Sequence, residues 1–256
     1  MKQLTENQII ENWDKLMKLI EDTFDGDRLK KLKTMYTYFE DRMSVAPASG
    51  KAHYHNAMVG GYVEHVLHVT NCALKIKKLW VEDGATINFT DEELIFAAMH
   101  HDLGKVGDLD EDYYIPQDSE WHRKNQGSIF KHNPKLQYMS VTDRSLFLLQ
   151  HFGIPMSEWE YIGLRLTDGM YEDANKTYYM NYNPDWSLRS NIAYILHQAD
   201  MMATHIEYDQ WMRLDEEENV RVSESIKKAV DTKTDDSDRL KNKSQDLFEE
   251  LFGEKE

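Results

Sequence analysis

Apolar residues recur at intervals of three and four along most of this chain, and no stretch offers a convincing strand, so the spacing predicts an all-α fold. Thr5 and Gln8 have the spacing of a capping box, and Ile9, Ile10, Trp13, Leu16, Met17 and Ile20 continue it as a helix over about 5–24. Asp25-Gly26-Asp27 breaks that helix. Leu29, Leu32, Met35, Tyr36 and Phe39 then mark a second over about 28–43, and 45–50 reads as a loop. From about 56 to 80 the pattern is apolar on nearly every side, the mark of a central, buried helix. Gly60-Gly61 inside it costs roughly 1 kcal/mol per glycine, which predicts close packing there.

Thr90 and Glu93 form another capping box, opening a helix that runs to about His101. Further helices are expected over about 141–152 and 157–167, and Ser187 is placed to cap a long one over about 188–214. Residues 106–139 and 168–188 are loop-like, the second unusually rich in tyrosine. Asp215-Glu216-Glu217-Glu218 opens a highly charged stretch, and an apolar face returns only at Leu247–Phe252. The organisation is therefore N-terminal helices over 1–49, a principal domain over 50–214, and a charged helical or partly disordered tail over 215–256.

A chain of 256 residues with 41% apolar side chains supports one large domain or one domain plus an appendage. The net charge of -16 repels phosphate backbones and argues against a protein that grips long nucleic acid. It leaves a small nucleotide open as a substrate, because a local metal overrides a distant field. Cys72 is the one cysteine, which rules out an intrachain disulfide and fits a reducing compartment. With no apolar signal core and no membrane span in the sequence, the expectation is a cytoplasmic protein with no membrane partner.

The chemistry concentrates in histidine and aspartate. His101-Asp102 ends an apolar helix and is followed by Leu103-Gly104-Lys105. Neighbours on a helix project about 100° apart, yet near a helix end both reach one ion, and Asp102 is able to bridge two. Gly104 lets the chain turn away, and Lys105 offers positive charge to a phosphate. Alone, such a pair is usually an ordinary helix end. Two further residues change the weighting: His65 and Asp200, each inside an apolar helical stretch. A buried carboxylate has to be paired or bound to metal, since leaving it bare costs several kcal/mol. Within one turn of Asp200 only His197 is basic, and a metal accounts for His65, His101, Asp102 and Asp200 together.

The order His65, His101-Asp102, Asp200 resembles the HD superfamily of metal-dependent phosphohydrolases. His53-Tyr54-His55-Asn56-Ala57 followed by Gly60-Gly61-Tyr62-Val63-Glu64-His65 is similar to the HD domain of certain bacterial 3′-to-5′ exoribonucleases and related phosphohydrolases. That subgroup also has a His-Asp-x-Gly-Lys run, matched by His101–Lys105, and two further histidines, matched in order by His132 and His151. The likeness covers about residues 50–210, without the loops 106–131 and 168–188. It implies an HD-type helical bundle and one or two divalent ions, with Mn, Mg, Fe, Co and Ni as candidates. His65, His101, Asp102 and Asp200 would hold the first ion. Asp102 would bridge to a second held also by His132 and His151. Water activated by the ions would attack phosphorus. Asp102 and Lys105 would be catalytic, Lys105 by neutralising a phosphate oxygen, and His55 would lie near the substrate.

Plainer readings stand beside these. His132 precedes Asn133-Pro134 and equally suits a surface loop, and a histidine at the helix-ending position of His151 suits the helix dipole. His68 is better read as packing or support than as a ligand, and His197 either orients Asp200 or faces solvent. Tyr171, Tyr178, Tyr179 and Tyr182 either stack on a base or pack their own loop. The function expected is metal-dependent hydrolysis of a phosphoester or phosphoanhydride, on a small nucleotide or short oligonucleotide. The alternatives are a 3′-to-5′ exonuclease, a di-iron oxygenase on the same ligands, and a non-catalytic, metal-stabilised regulatory module. Lys105 and Asp102 weigh against the last.

Overall fold

The computed structural model describes residues 3–52 and 54–213. The charged tail, the returning apolar face and His53 lie outside the described residues. Helices carry the fold, as the periodicity required. In chain order they are α1 (Glu6–Thr23), α2 (Gly26–Met43), α3 (Gly61–Glu82), α4 (Asp91–His100), α5 (Glu120–Gln126), α6 (Val141–His151), α7 (Glu158–Arg165), α8 (Lys176–Tyr179) and α9 (Ile192–Arg213). Among the described residues no helix is long and apolar enough to cross a membrane.

Contrary to the strand-free expectation, β1 (Tyr114–Pro116) and β2 (Phe130–His132) form a small antiparallel sheet, with Tyr114 opposite His132 and Pro116 opposite Phe130. Three residues per strand are too few for a period of two to register in the sequence.

The chain divides into two compact units. Of the described residues, the first takes those up to His65, residues 105–138 and residues 204–213. In it, Thr5 caps α1 through the predicted box: the Gln8 amide donates to Thr5 Oγ1 at 3.3 Å, and the Thr5 amide donates to Gln8 Oε1 at 2.9 Å. α1 packs on α2, with the rings of Trp13 and Tyr36 6.3 Å apart; Leu16 and Ile20 of α1 and Leu32, Met35 and Phe39 of α2 are buried, while Ile9 packs with Leu4, Val45, Met58 and Val59. Arg42, near the end of α2, donates to the carbonyls of Asp108, Leu109 and Glu111 at 2.6–3.0 Å and so fixes the segment that follows the His-Asp pair.

The glycine pair does not lie inside α3. Gly60 has φ +78, Asn56 has φ +44, and together they build a turn from which Gly61 starts the helix. The close packing inferred from the pair is present. A Cβ on Gly61 would lie 2.1 Å from the Asn56 carbonyl oxygen, and one on Gly60 would lie 2.9 Å from the Ile9 side chain. Nor is α3 buried along its length: Tyr62 to Ala73 supply core residues, whereas Leu79 and Val81 are exposed.

The second unit comprises residues 66–104 and 139–203. Its centre is α4, in which every residue from Leu94 to His100 is buried. The Thr90–Glu93 capping box forms as predicted, and Ser157 Oγ also donates to Glu93 at 2.7 Å. α7 packs closely on α4, where a Cβ on Gly163 would lie 3.2 Å from that of Ala97. Cys72 is buried here, on α3. The predicted cap at Ser187 is not used; Ser187 Oγ donates instead to the Pro184 carbonyl, and α9 begins at Ile192, whose amide donates to Ser190 Oγ.

Candidate metal centre

Three of the four predicted first-ion ligands come together in the second unit. His101 caps α4 in helical geometry, so its ring stays against the buried end of that helix. Its Nδ1 lies 2.7 Å from the Ala98 carbonyl oxygen. A carbonyl only accepts, so Nδ1 carries the proton and donates. Nε2 then faces two carboxylates, Asp102 Oδ2 at 3.4 Å and Asp200 Oδ1 at 3.8 Å. The next turn, a 3-10 helix over Leu103–Val106, swings the chain away immediately after Asp102. The Gly104 amide donates to Ser145 Oγ at 2.8 Å, and a Cβ on Gly104 would lie 2.1 Å from the Val141 carbonyl oxygen. Only glycine allows so close an approach to α6, which holds the His-Asp corner in place.

Asp200 is less buried than the sequence implied, with a side chain 26% exposed. The premise of a fully desolvated carboxylate on α9 is corrected accordingly. A third acid, Asp168, lies within electrostatic reach of Asp102 and Asp200, and among the described residues it belongs to no group of three close ligand atoms. It precedes the 3-10 turn Gly169–Tyr171, and its Oδ2 accepts from Thr142 Oγ1 at 3.0 Å. Much of the residue surface is open, yet the carboxyl group is hemmed in. Its pKa is raised, first by loss of solvent around it and then by the charges of Asp102 and Asp200; the Thr142 bond and His101 pull the other way.

In the first unit His65 is fully buried, and its Nδ1 lies 3.0 and 3.2 Å from the two oxygens of Glu207. A carboxylate only accepts, so the imidazole donates through Nδ1. The same tautomer as in His101 results, with Nε2 as the nitrogen suited to an ion; an acceptor on the far nitrogen is the usual support of a metal-binding histidine. The His55 ring lies 4.4 Å from that of His65 between centroids.

The remaining candidates sit as follows. Lys105 is half-buried in the 3-10 turn after Asp102. His132 is in β2, exposed, with its ring 4.8 Å from that of Tyr113. His151 ends α6, also exposed, beside Phe147 and Phe152. Among the described residues neither belongs to a group of three ligand-type side chains. His68 is half-buried on α3. His197 donates through Nδ1 to the Thr167 carbonyl at 2.8 Å.

Sequence reasoning missed Asp168 and Glu207. Glu207 had a signal: it follows Ala203 by four residues on α9, the spacing of one helix face, so an acid there falls on a core stripe. Asp168 lies in irregular chain, where no periodicity exposes a buried acid.

No family model, no curated protein and no solved structure matches this chain.

The residue types fit a divalent cation. His101, Asp102 and Asp200 offer one imidazole and two carboxylates, donors suited to Mn, Fe, Co or Ni and, on the oxygen side, to Mg, and Asp168 adds negative charge nearby.

Proposed function

We propose that this chain is a metal-dependent phosphohydrolase acting on a phosphoester or phosphoanhydride of nucleotide type. The observation that carries the reading is the tautomer of His101. With Nδ1 donating to Ala98, a neutral ring turns its Nε2 lone pair towards the oxygens of Asp102 and Asp200. A lone pair facing two anions is repulsive, and a cation between them removes the conflict. The pKa of Asp168 is raised first by loss of solvent and, to a lesser degree, by the charges of Asp102 and Asp200.

His101, Asp102 and Asp200 would hold the ion. His65, the fourth ligand expected from the sequence, has its Nδ1 engaged in the same way, by Glu207. A divalent ion supplies Lewis acidity that lowers the pKa of water and offsets charge on a phosphoryl group. Lys105 would add a fixed positive charge for a phosphate oxygen. The acidic surface, at a net charge of -16, favours a small substrate over a long nucleic acid.

The test is a hydrolysis screen over nucleotides with Mn2+, Mg2+, Fe2+, Co2+ and Ni2+ in parallel, read with metal content per chain. Turnover should require metal, and His101→Ala should lose both metal and turnover. A chain that turns over nothing with any of these metals, or whose His101→Ala variant keeps metal and turnover, rejects the reading.

A further inference from the structure

In the second unit, α9 presents Tyr194, His197, Gln198 and Met201 along one face, at the i, i+3, i+4 and i+7 positions. Opposite this face run the 3-10 turn Gly169–Tyr171 and α8, which bring up Tyr171 and Tyr179. Between them is a cavity of about 450 Å³ with predominantly apolar walls. That is the size and character of a small-molecule site.

The walls are set before any ligand arrives. The Tyr179 hydroxyl lies 2.8 Å from the Leu166 carbonyl oxygen and 3.2 Å from that of Ala193, which pins its ring edge-on to Tyr194 at 5.1 Å and 89°. His197 is held by its bond to Thr167. Gly169, at φ +54, lets the chain pass against the His197 ring, where a Cβ would lie 2.3 Å from Nε2. Trp80 Nε1 donates to Gln198 Oε1 at 3.1 Å, which leaves the Gln198 amide NH2 as a donor beside the aromatic walls. Tyr171 is 79% exposed and Met170 is 48% exposed, a cost in apolar surface that packing within the loop has not removed.

The cavity adjoins the acidic group through the chain itself. Met201 follows Asp200 directly, His197 precedes it by three residues on α9, and Met170 follows Asp168 by two. The Tyr179 hydroxyl has its pKa raised by burial, then by Tyr194, and then by the charge of Asp168, so that carboxylate is within electrostatic reach of the cavity wall.

We infer that this cavity is the base-binding subsite of the enzyme: a nucleobase enters between α9 and the Gly169–Tyr171 turn and packs on the exposed face of Tyr171, whose ring already meets that of His197 edge-on at 6.0 Å, with the Gln198 amide donating to its edge. Flat aromatic walls, sulfur-bearing side chains and a single polar handle select a planar heteroaromatic ring over a bare sugar phosphate. The placement of the ligand's phosphate rests on the phosphohydrolase reading; the binding of the base does not.

The experiment is calorimetric titration of the full chain with the four ribonucleosides, their 5′-monophosphates and ribose 5-phosphate, each with and without Mn2+. At least one nucleoside should bind without metal. Tyr171→Ala, at a surface position, should weaken that binding about ten-fold, and Met201→Trp, which fills the cavity, should do the same. The loss for the monophosphate should exceed that for ribose 5-phosphate. If no nucleoside binds, or if both variants bind as tightly as wild type, the assignment is overturned. Hydrolysis of monophosphates with KM unmoved by either variant would likewise overturn it while leaving the hydrolase reading intact. Tyr171-dependent nucleoside binding with no hydrolysis would sustain the subsite and reject the hydrolase.

Discussion

His65 and Glu207, 142 residues apart in the chain, meet through the imidazole Nδ1 and both carboxylate oxygens, with both side chains shut off from solvent. Removing the acceptor strands a buried N–H, at a cost of about 1–3 kcal/mol. Glu207→Leu should therefore lower the melting temperature more than Glu207→Gln, which keeps an amide oxygen for the same bond. Thermal melts on wild type and both variants check the order.

Asp168 gives a pH dependence of known sign. Its pKa is raised above 3.8 in the fold, so folding favours its protonated form, and the ionised form destabilises the metal-free protein once pH exceeds the raised value. Asp168→Asn keeps an oxygen for the Thr142 hydroxyl and removes the charge. It should melt higher than wild type in chelator at pH 7, by about 2–4 °C for each kcal/mol relieved. The difference should shrink as pH falls and vanish below 3.8, where both side chains are neutral. An unchanged gap down to pH 3 would mean that charge is not its source.

The shared ion is tested by removing ligands. Asp102→Ala and Asp200→Ala should lower metal per chain, measured by plasma emission, whereas His68→Ala should keep it. Wild type should gain about 2.7 kcal/mol of stability at metal a hundred-fold above Kd. Asp200→Ala should gain little. Full metal and full stabilisation in both aspartate variants would reduce the cluster to coincidence.

Lys105→Met should leave metal content near wild type and lower kcat/KM about ten-fold or more, the scale of one lost charge-assisted contact. Loss of metal along with activity would assign Lys105 to the structure instead.

Gly104→Ala would force a methyl against the Val141 carbonyl oxygen, which is backbone and cannot rotate aside. The cost should be about 3 kcal/mol, the upper part of the overpacking range. Urea unfolding should show a lower midpoint at an unchanged slope.

What could be read in advance was whatever depended on local pattern. The capping boxes at Thr5 and Thr90 and the core stripes of α1 and α2 follow from spacing alone, and both boxes form. Distance in sequence hid the rest. Nothing near Arg42 announces that its guanidinium will gather three carbonyls more than 60 residues away. The glycine pair was placed inside α3 because an apolar run continues through it; the positive φ of Asn56 and Gly60, a tertiary property of the turn, sets the true start. For the candidate site, the His-Asp corner and Asp200 were legible as residue types on helices, and the structure brings them together. The partners that orient or crowd them were not. Asp168 comes from irregular chain, and Glu207 looks like one more acid in an acidic protein until its burial is known.

Cys72 lies buried on α3, in the unit that carries His101, Asp102 and Asp200, and it is the chain's one thiol. A reagent such as Ellman's can reach it only when that part of the helix opens, so the labelling rate in native buffer is a clock for local unfolding. The clock is built in at a single address and needs no engineered probe. Any metal or nucleotide that tightens this unit should slow it, and the slowing reports occupancy without turnover being followed at all.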